Sequence, residues 1–501
     1  MTPRELGAAL AGHFELESEA GRVIDRAYFD TFEGLLHQSD MSLLWEDGRL
    51  QLVNGDGREA AGLGLPCAPG AIRATDLPPG ALRDRLGPVI HARAATTLVR
   101  VHARRRAMRV LDSERKTVAR MSIEEPSITL GERARARLAP RLTVAGVRGY
   151  DKALRRVRGV VEDELGLVNA AQSLADEAVT RAGGIPPGAS SNRDVALEPQ
   201  QRADHAAVAI LMRLTAAIEA NLPGTLADID SEFLHDLRVA VRRTRSLLRE
   251  LHGVFPPDHL ARFRAEFKWL QEITGPTRDL DVYLLDFDAF ARSLPPAHRT
   301  DLEPLRGLLT EHRIRHRRRM VRSLRSGRAR TLLPDWKQLV EKLPELPVDR
   351  RPDAAKPIVE LAGRRIATVY RRMVRMGTAI DDHSAPVALH DLRKKGKELR
   401  YLLEFFGQLF PEATVDPMVG TLKSLQDSLG RFQDREIQAE MLHSLADETA
   451  TLQSGATALM AMGVLVQRLT AQQAQARREY ARRFAPFADR RRQAVIEETF
   501  A

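Results

Sequence analysis

The strongest chemical signal in this sequence is carried by His235, Arg238, Arg242 and Arg245. On a helix turning about 100° per residue they fall within an arc of roughly 80° and span about 15 Å, forming one cationic ridge. His390, Arg393, Lys397 and Arg400 repeat the spacing. Like charges at i, i+3 and i+4 repel by roughly a few tenths of a kcal/mol per pair unless acids or a ligand intervene. Such a row suits an anion, and guanidinium matches phosphate oxygens bidentately. No small phosphate ester reaches all four residues, so an extended chain of repeated charges fits better. A structural reading competes: Asp236, Asp279, Asp391 and Asp434 would tie the ridges into a salt-bridge network. His235 and His390 are hydrogen-bond donors in either reading, since no second His or Cys lies beside them at metal-ligand spacing.

Further basic residues extend this surface. Lys268 and Lys423 lie one turn before Gln271-Gly275-Asp279 and Gln426-Gly430-Asp434, stripes that read as structural, with Gly permitting close helix contact and Asp bracing a ridge arginine. Between Arg306 and Arg330, ten arginines with His312 and His316 face a single acid, Glu311. His312, His316 and Arg319 share one side of that stretch, and Arg364, Arg371 and Arg375 lead into the second His segment. A solvated helix face competes with ligand contact for both stretches.

The elements that must position these residues are helical and duplicated. Leu234-His235-Asp236-Leu237-Arg238 recurs as Leu389-His390-Asp391-Leu392-Arg393. The offset of 155 residues then carries Arg242 onto Lys397, Phe255-Pro256 onto Phe410-Pro411, Lys268 onto Lys423 and Asp279 onto Asp434 without slippage. Leu234, Leu237, Val241 and Leu248, with Leu389, Leu392, Leu399 and Leu403, supply apolar faces, so each copy reads as about four helices, the two related by a pseudo-twofold. Breakers fall at Pro256-Pro257, Pro295-Pro296, Pro344 and Pro411.

Residues 1–145 differ: Gly/Pro/Asp clusters separate short β-like runs such as Arg49–Val53 and Thr96–Val101, predicting an antiparallel sheet or barrel. Residues 146–197 read as a connector, helical from Tyr150 to Ala182, with a Gly/Pro/Ser linker at Gly183–Ser191. Residues 198–501 read as all-helical, with repeat halves at about 200–345 and 355–500.

With 501 residues, 43% apolar and 29% charged, the chain has material for two or three domains. Its net charge is +10 and nine of those charges fall after residue 199, which favours polyanionic partners. Cys67 is the only cysteine, excluding an internal disulfide or multi-cysteine metal site and fitting a reducing compartment. The apolar run near Ala456–Val466 is too short to span a membrane. Aromatic residues make up only 5% and do not interleave with the ridges, which disfavours nucleic acid. There is no P-loop and no nucleophile elbow.

Over residues 198–495 the chain resembles the CHAD family, α-helical domains named for their histidines, in the Leu-His-Asp-Leu-Arg starts and in Leu280-Asp281-Val282 after Arg278-Asp279. The resemblance implies two four-helix bundles about a pseudo-twofold and inorganic polyphosphate bound on a basic central surface. It would place His235, Arg238, Arg242, Arg245, His390, Arg393, Lys397 and Arg400 at the ligand. The first 145 residues resemble a CYTH domain, a triphosphate-tunnel β-barrel, at Tyr28-Phe29-Asp30-Thr31, Val99–Arg106 and Met121–Glu124. The Glu-x-Glu-x-Lys that supplies metal carboxylates in that family has no counterpart; the nearest run is Glu15-Leu16-Glu17-Ser18-Glu19. Leu43-Leu44-Trp45-Glu46 stands where the family has Leu-Arg-Ile-Arg, so the barrel reads as degenerate.

The expectation is a cytoplasmic, non-enzymatic polyphosphate-binding protein, without cofactor or metal, associated with polyphosphate granules. Its rivals are a metal-dependent triphosphatase in the N-terminal barrel and a nucleic-acid-binding protein.

Overall fold

The computed structural model describes residues 3–130, 134–186, 195–381 and 383–500. Contacts divide the chain into two compact units, Met1–Arg193 and Asp194–Ala501. Part of the expected linker, residues 187–191, lies outside the described residues.

The first unit is built on ten antiparallel strands: β1 Glu15–Ser18, β2 Arg22–Asp30, β3 Met41–Glu46, β4 Arg49–Asn54 and β5 Glu59–Gly64, then β6 Ala71–Arg73, β7 Ala94–Leu111, β8 Thr117–Leu130, β9 Ala134–Arg137 and β10 Arg141–Gly146. The main path runs β10-β8-β7-β2-β3-β4-β5, with β1 and β6 also on β7 and β9 on β8. This sheet has the form the CYTH resemblance implies. Alternation drives it: Leu50 and Leu52 of β4 point inward with Ala27, Phe29 and Leu43. Helices α1 Pro3–His13, α2 Leu35–Gln38, α3 Ala81–Ile90, α4 Asp151–Gly159 and α5 Leu174–Arg181 accompany it. The helical stretch expected over Tyr150–Ala182 is therefore interrupted. After α4 and a π turn at Val160–Glu164 the chain leaves the helix at Gly166, whose φ of 63° is left-handed backbone that glycine tolerates.

The second unit is all-helical. Its first half holds α6 Ala203–Ala227, α7 Ser231–Glu250, α8 Pro257–Ser293, α9 Glu303–Leu324 and α10 Gly327–Lys342. The second half holds α11 Ile358–Thr378, α12 Pro386–Phe406, α13 Glu412–Ser444, the short α14 Ala446–Ala450, α15 Gly455–Phe484 and α16 Arg490–Phe500. Four long helices per half match the expected bundles; a fifth, α10 or α16, packs back on the first helix of its own half. Local chemistry fixes the starts. The Asp230 carboxylate accepts from the Glu232 and Phe233 amides at 2.8 and 3.2 Å to cap α7, while Pro386 opens α12 with its preset φ.

The pseudo-twofold is visible atom by atom. The Ala203 amide donates to the Lys356 carbonyl at 2.9 Å and the Ile358 amide to the Gln201 carbonyl at 2.8 Å. Each donor lies 155 residues from its counterpart, and so does each acceptor. The two halves share their core: Leu237, Phe263 and Phe267 belong to the same buried cluster as Leu392, Leu402 and Phe406. Fully buried Trp336 packs on Phe263 and Phe267, its indole donating to Thr215 Oγ1 at 3.0 Å. Helix α6 is the one described helix long and apolar enough to cross a membrane, a feature the sequence reading passed over in favour of Ala456–Val466; its apolar side chains lie in this core.

Candidate functional site

Both ridges lie as spaced, on α7 and α12, and each faces the helix that follows it, α8 or α13. In the first half Arg238 reaches over α8, Nη1 donating to the Gln271 carbonyl at 2.8 Å and to Thr274 Oγ1 at 2.9 Å. Gly275 lies beneath this guanidinium: a Cβ there would sit 3.5 Å from Arg238 Nη1, and one at Gly430 would sit 3.7 Å from Arg393 Nη2, ordinary contact distances. Arg245 donates to Gln271 Oε1. His235 is half-buried, and burial with Arg278 nearby pushes it below its ordinary value, so it is neutral at pH 7 in the unliganded protein.

The second half differs in detail. Arg393 donates to Asp434 Oδ1 at 3.0 Å, and Arg400 turns along its own helix to Glu404 at 2.7 Å. His390 Nδ1 bonds Gln433 Oε1. Gln426, counterpart of Gln271, is left with a buried Nε2 that has no hydrogen-bond partner among the described residues. The competing salt-bridge reading holds for part of the set: Asp434 takes Arg393, whereas Asp391 pairs with Lys394 at 3.2 Å. Among the described residues Lys268 has one acid within 4 Å, exposed Glu272 at 3.7 Å.

The ridges meet at Arg242 and Lys397, equivalent positions in the two copies. A cleft of about 1020 Å³ is lined by Arg242, Arg245 and Lys268 from the first half and by Lys397, Lys394, Lys395 and Arg372 from the second. Lys397 also lines a groove of about 730 Å³ with Arg393, Arg400, Lys423 and Gln426. Burial, reinforced by Arg393 and Arg242, pushes the Lys397 ammonium down to about 8. A cation held there against desolvation and neighbouring charge gains from any anion that arrives.

Of the sequence-derived residues, Arg242, Arg245, Lys268, Arg393, Lys397, Arg400 and Lys423 line these two clefts. His235, Arg238 and His390 do not, being turned toward α8 or α13. His312 lies apart, paired through Nε2 with Glu448 of α14 at 2.6 Å, and His316 and Arg319 line neither cleft. Arg371 and Arg375 are exposed on α11, and it is their neighbour Arg372 that reaches the cleft.

Arg249 was missed although the pattern contained it: offset 14 from His235 returns to the same face. Its counterpart is Glu404, and the difference polarises the twofold. Arg243 binds Glu404, and Arg249 lies 3.2 Å from Glu398, the counterpart of Arg243. Two arginines of one copy thus meet two glutamates of the other where identical copies would repel.

In the sheet unit, Arg26 of β2, Glu46 of β3, Arg105 of β7 and Glu124 of β8 form a mostly buried four-charge cluster. Arg26 donates to Glu46 at 2.7 Å, and Arg105 to Glu46 and Glu124 at 2.6 Å each. Burial raises Glu46, but its bonds to Arg105 and Arg26 outweigh this and hold it below the usual carboxylate range. Both carboxylates are thereby committed to arginines. Among the described residues no group of three His, Cys, Asp or Glu side chains is placed to hold a metal ion.

Residues 209–443 match the model of the CHAD domain. The chain is 28% identical over 231 residues to Rv2226, an uncharacterised protein of Mycobacterium tuberculosis strain H37Rv, and equally to its counterpart in strain CDC 1551. That match takes in 43% of this chain and 41% of each relative, so the chain spans about two-fifths of the length of these curated relatives. Among solved structures, the CHAD domain from the plant Ricinus communis superposes with a TM-score of 0.50 at 24% identity, covering 59% of this chain and 94% of that one. PptA from Streptomyces chartreusis gives 0.44 at 16% identity, covering 57% and 99%.

Proposed function

From the premise that the helical unit of this chain is a CHAD domain, we propose that it binds inorganic polyphosphate without turning it over, threading the chain past Arg242 and Lys397. The observation that carries this is the meeting of the two duplicated cationic rows at Arg242 and Lys397, which line one cleft together with Arg245, Lys268 and the acids Asp391 and Glu398. Three features support phosphate as the occupant. The cleft offers both guanidinium forks and point-charge ammoniums; Tyr401, the one aromatic side chain lining it among the described residues, is buried and offers bases no stacking face; and Lys397 joins the cleft to the neighbouring groove with Arg393, Arg400 and Lys423.

Affinity then comes from many charge-assisted contacts with counterion release. If about six row cations meet phosphates, the slope of log affinity against log salt is about −4. The test is Arg242→Ala with Lys397→Ala in the full chain, alongside circular dichroism and melting to verify the fold. Loss of about 100-fold or more in affinity, from two charge-assisted contacts at roughly 1.5–3 kcal/mol each, is expected. Wild-type affinity in a folded double variant refutes the reading.

A further inference from the structure

We propose that the outer face of α9 is a second, separate phosphate-chain site, so that one molecule holds two polyanion strands at once. This rests on the polyphosphate reading for the nature of the ligand. Arg315, Arg318 and Arg322 of α9, with Arg325 at its C-cap, stand at offsets 0, 3, 7 and 10, the spacing of both central ridges. They therefore occupy an arc of about 80° and a length of about 15 Å, the same charge pitch. All four are exposed, with Arg319 beside them.

The opposite face of α9 does the packing. Arg313 is bound to Asp228 and Asp281, Arg317 lies 3.1 Å from Asp228, and Met320 and Leu324 are buried. None of the outer four lines either central cleft.

Three other surface arginines of this half hold acids, Arg262 with Asp335, Arg306 with Asp288 and Arg328 with Glu266, whereas Arg292, Arg299 and Arg330 have none within 4 Å among the described residues. On the outer row only Arg315 has a carboxylate within 4 Å among the described residues, Glu311 at 3.6 Å. A self-repelling row left unneutralised in a chain with 67 acids is arranged to receive external anions. The row belongs to one copy only. At the matching positions α15 carries Thr470, Gln473, Arg477 and buried Tyr480, so the duplication preserved the shared central site while this face arose on one side. The common pitch and the lack of interleaved aromatics favour a flexible phosphate chain over nucleic acid.

Two separated sites make the protein a bridge between long chains, with avidity that a short oligophosphate spanning one row cannot display. The experiment compares the full chain with Arg318→Ala/Arg322→Ala/Arg325→Ala, changes that leave an exposed helix its best helix former. The wild type is expected to scatter light strongly when long polyphosphate is added. The triple variant is expected to lose about tenfold of that scattering, and about 2 units of salt slope with the long chain, while binding short oligophosphate within about twofold of wild type. Undiminished scattering overturns the proposal, as does an equal loss of short-chain binding, which would make α9 part of the central seat. Duplex DNA displacing polyphosphate from the row at lower phosphate concentration overturns the choice of ligand. The Arg242→Ala/Lys397→Ala variant separates this from the central reading: if it binds short oligophosphate normally while the triple variant still fails to scatter, the central assignment falls and the outer row stands.

Discussion

If the cleft seats a phosphate chain as proposed, Lys397 makes that binding proton-linked. Its ammonium sits at about 8 in the unliganded protein because burial, Arg393 and Arg242 oppose its charge, with Asp434 only partly compensating. At pH 8 the site is therefore about half protonated. A phosphate chain favours the charged form and returns the group toward its ordinary range near 10.5, so binding at pH 8 takes up about half a proton at this residue. Near pH 6 the lysine is already charged and the uptake falls to about zero. The free protein has the mirror-image behaviour: the unfolded chain holds more protons between pH 8 and 10.5, so this group's contribution to stability rises with pH across that window. The assay is titration calorimetry at pH 8 in buffers of different ionisation enthalpy, repeated with Lys397→Arg, whose guanidinium stays charged throughout. The variant is expected to bind with about half a proton less uptake. Equal uptake in both proteins refutes the assignment of a desolvated lysine to the ligand path.

Three further outcomes follow from particular contacts. Gly377→Ala drives a Cβ into the ring of Phe484, and overpacking of that kind is expected to destabilise the helical unit by about 1–3 kcal/mol, measured as a fall in denaturant midpoint. Arg243→Glu sets two carboxylates against each other across the twofold and is expected to lower stability by about 1 kcal/mol; adding Glu404→Arg restores it, and a double variant as unstable as the single contradicts the pairing. The chain with tripolyphosphate and magnesium or manganese is expected to release no phosphate, because Glu46 and Glu124 are held by Arg26 and Arg105; release that Glu46→Gln abolishes contradicts this.

The central site was legible largely because it was written twice: a 155-residue offset registered across both copies places Arg242 with Lys397 by symmetry alone. What the pattern could not convey was orientation at the edges of a helix. On α11 the buried stripe runs through Ile358, Ile366, Val369 and Met373, and Arg371 and Arg375 stand directly opposite it, pointing to solvent. Arg372, at the stripe's flank, is the one that reaches a neighbouring helix, a geometry that periodicity predicts once the packed face is taken as the reference. The same holds for α9, where the packed face, not the histidine pair, decides which arginines face outward. Gly275 and Gly430 read as helix-contact residues, and that Arg238 and Arg393 lie over them is a neighbour relation that needs coordinates. The Arg26–Glu46–Arg105–Glu124 cluster draws on four strands separated in sequence and became apparent only from strand register.

The most direct measurement is the structure of the full chain with a short oligophosphate. A continuous run of phosphates within hydrogen-bond reach of both the Arg242 guanidinium and the Lys397 ammonium is the expected result. Phosphate density that avoids that cleft, or that touches one copy's row and never the other's, contradicts a seat shared by the two halves.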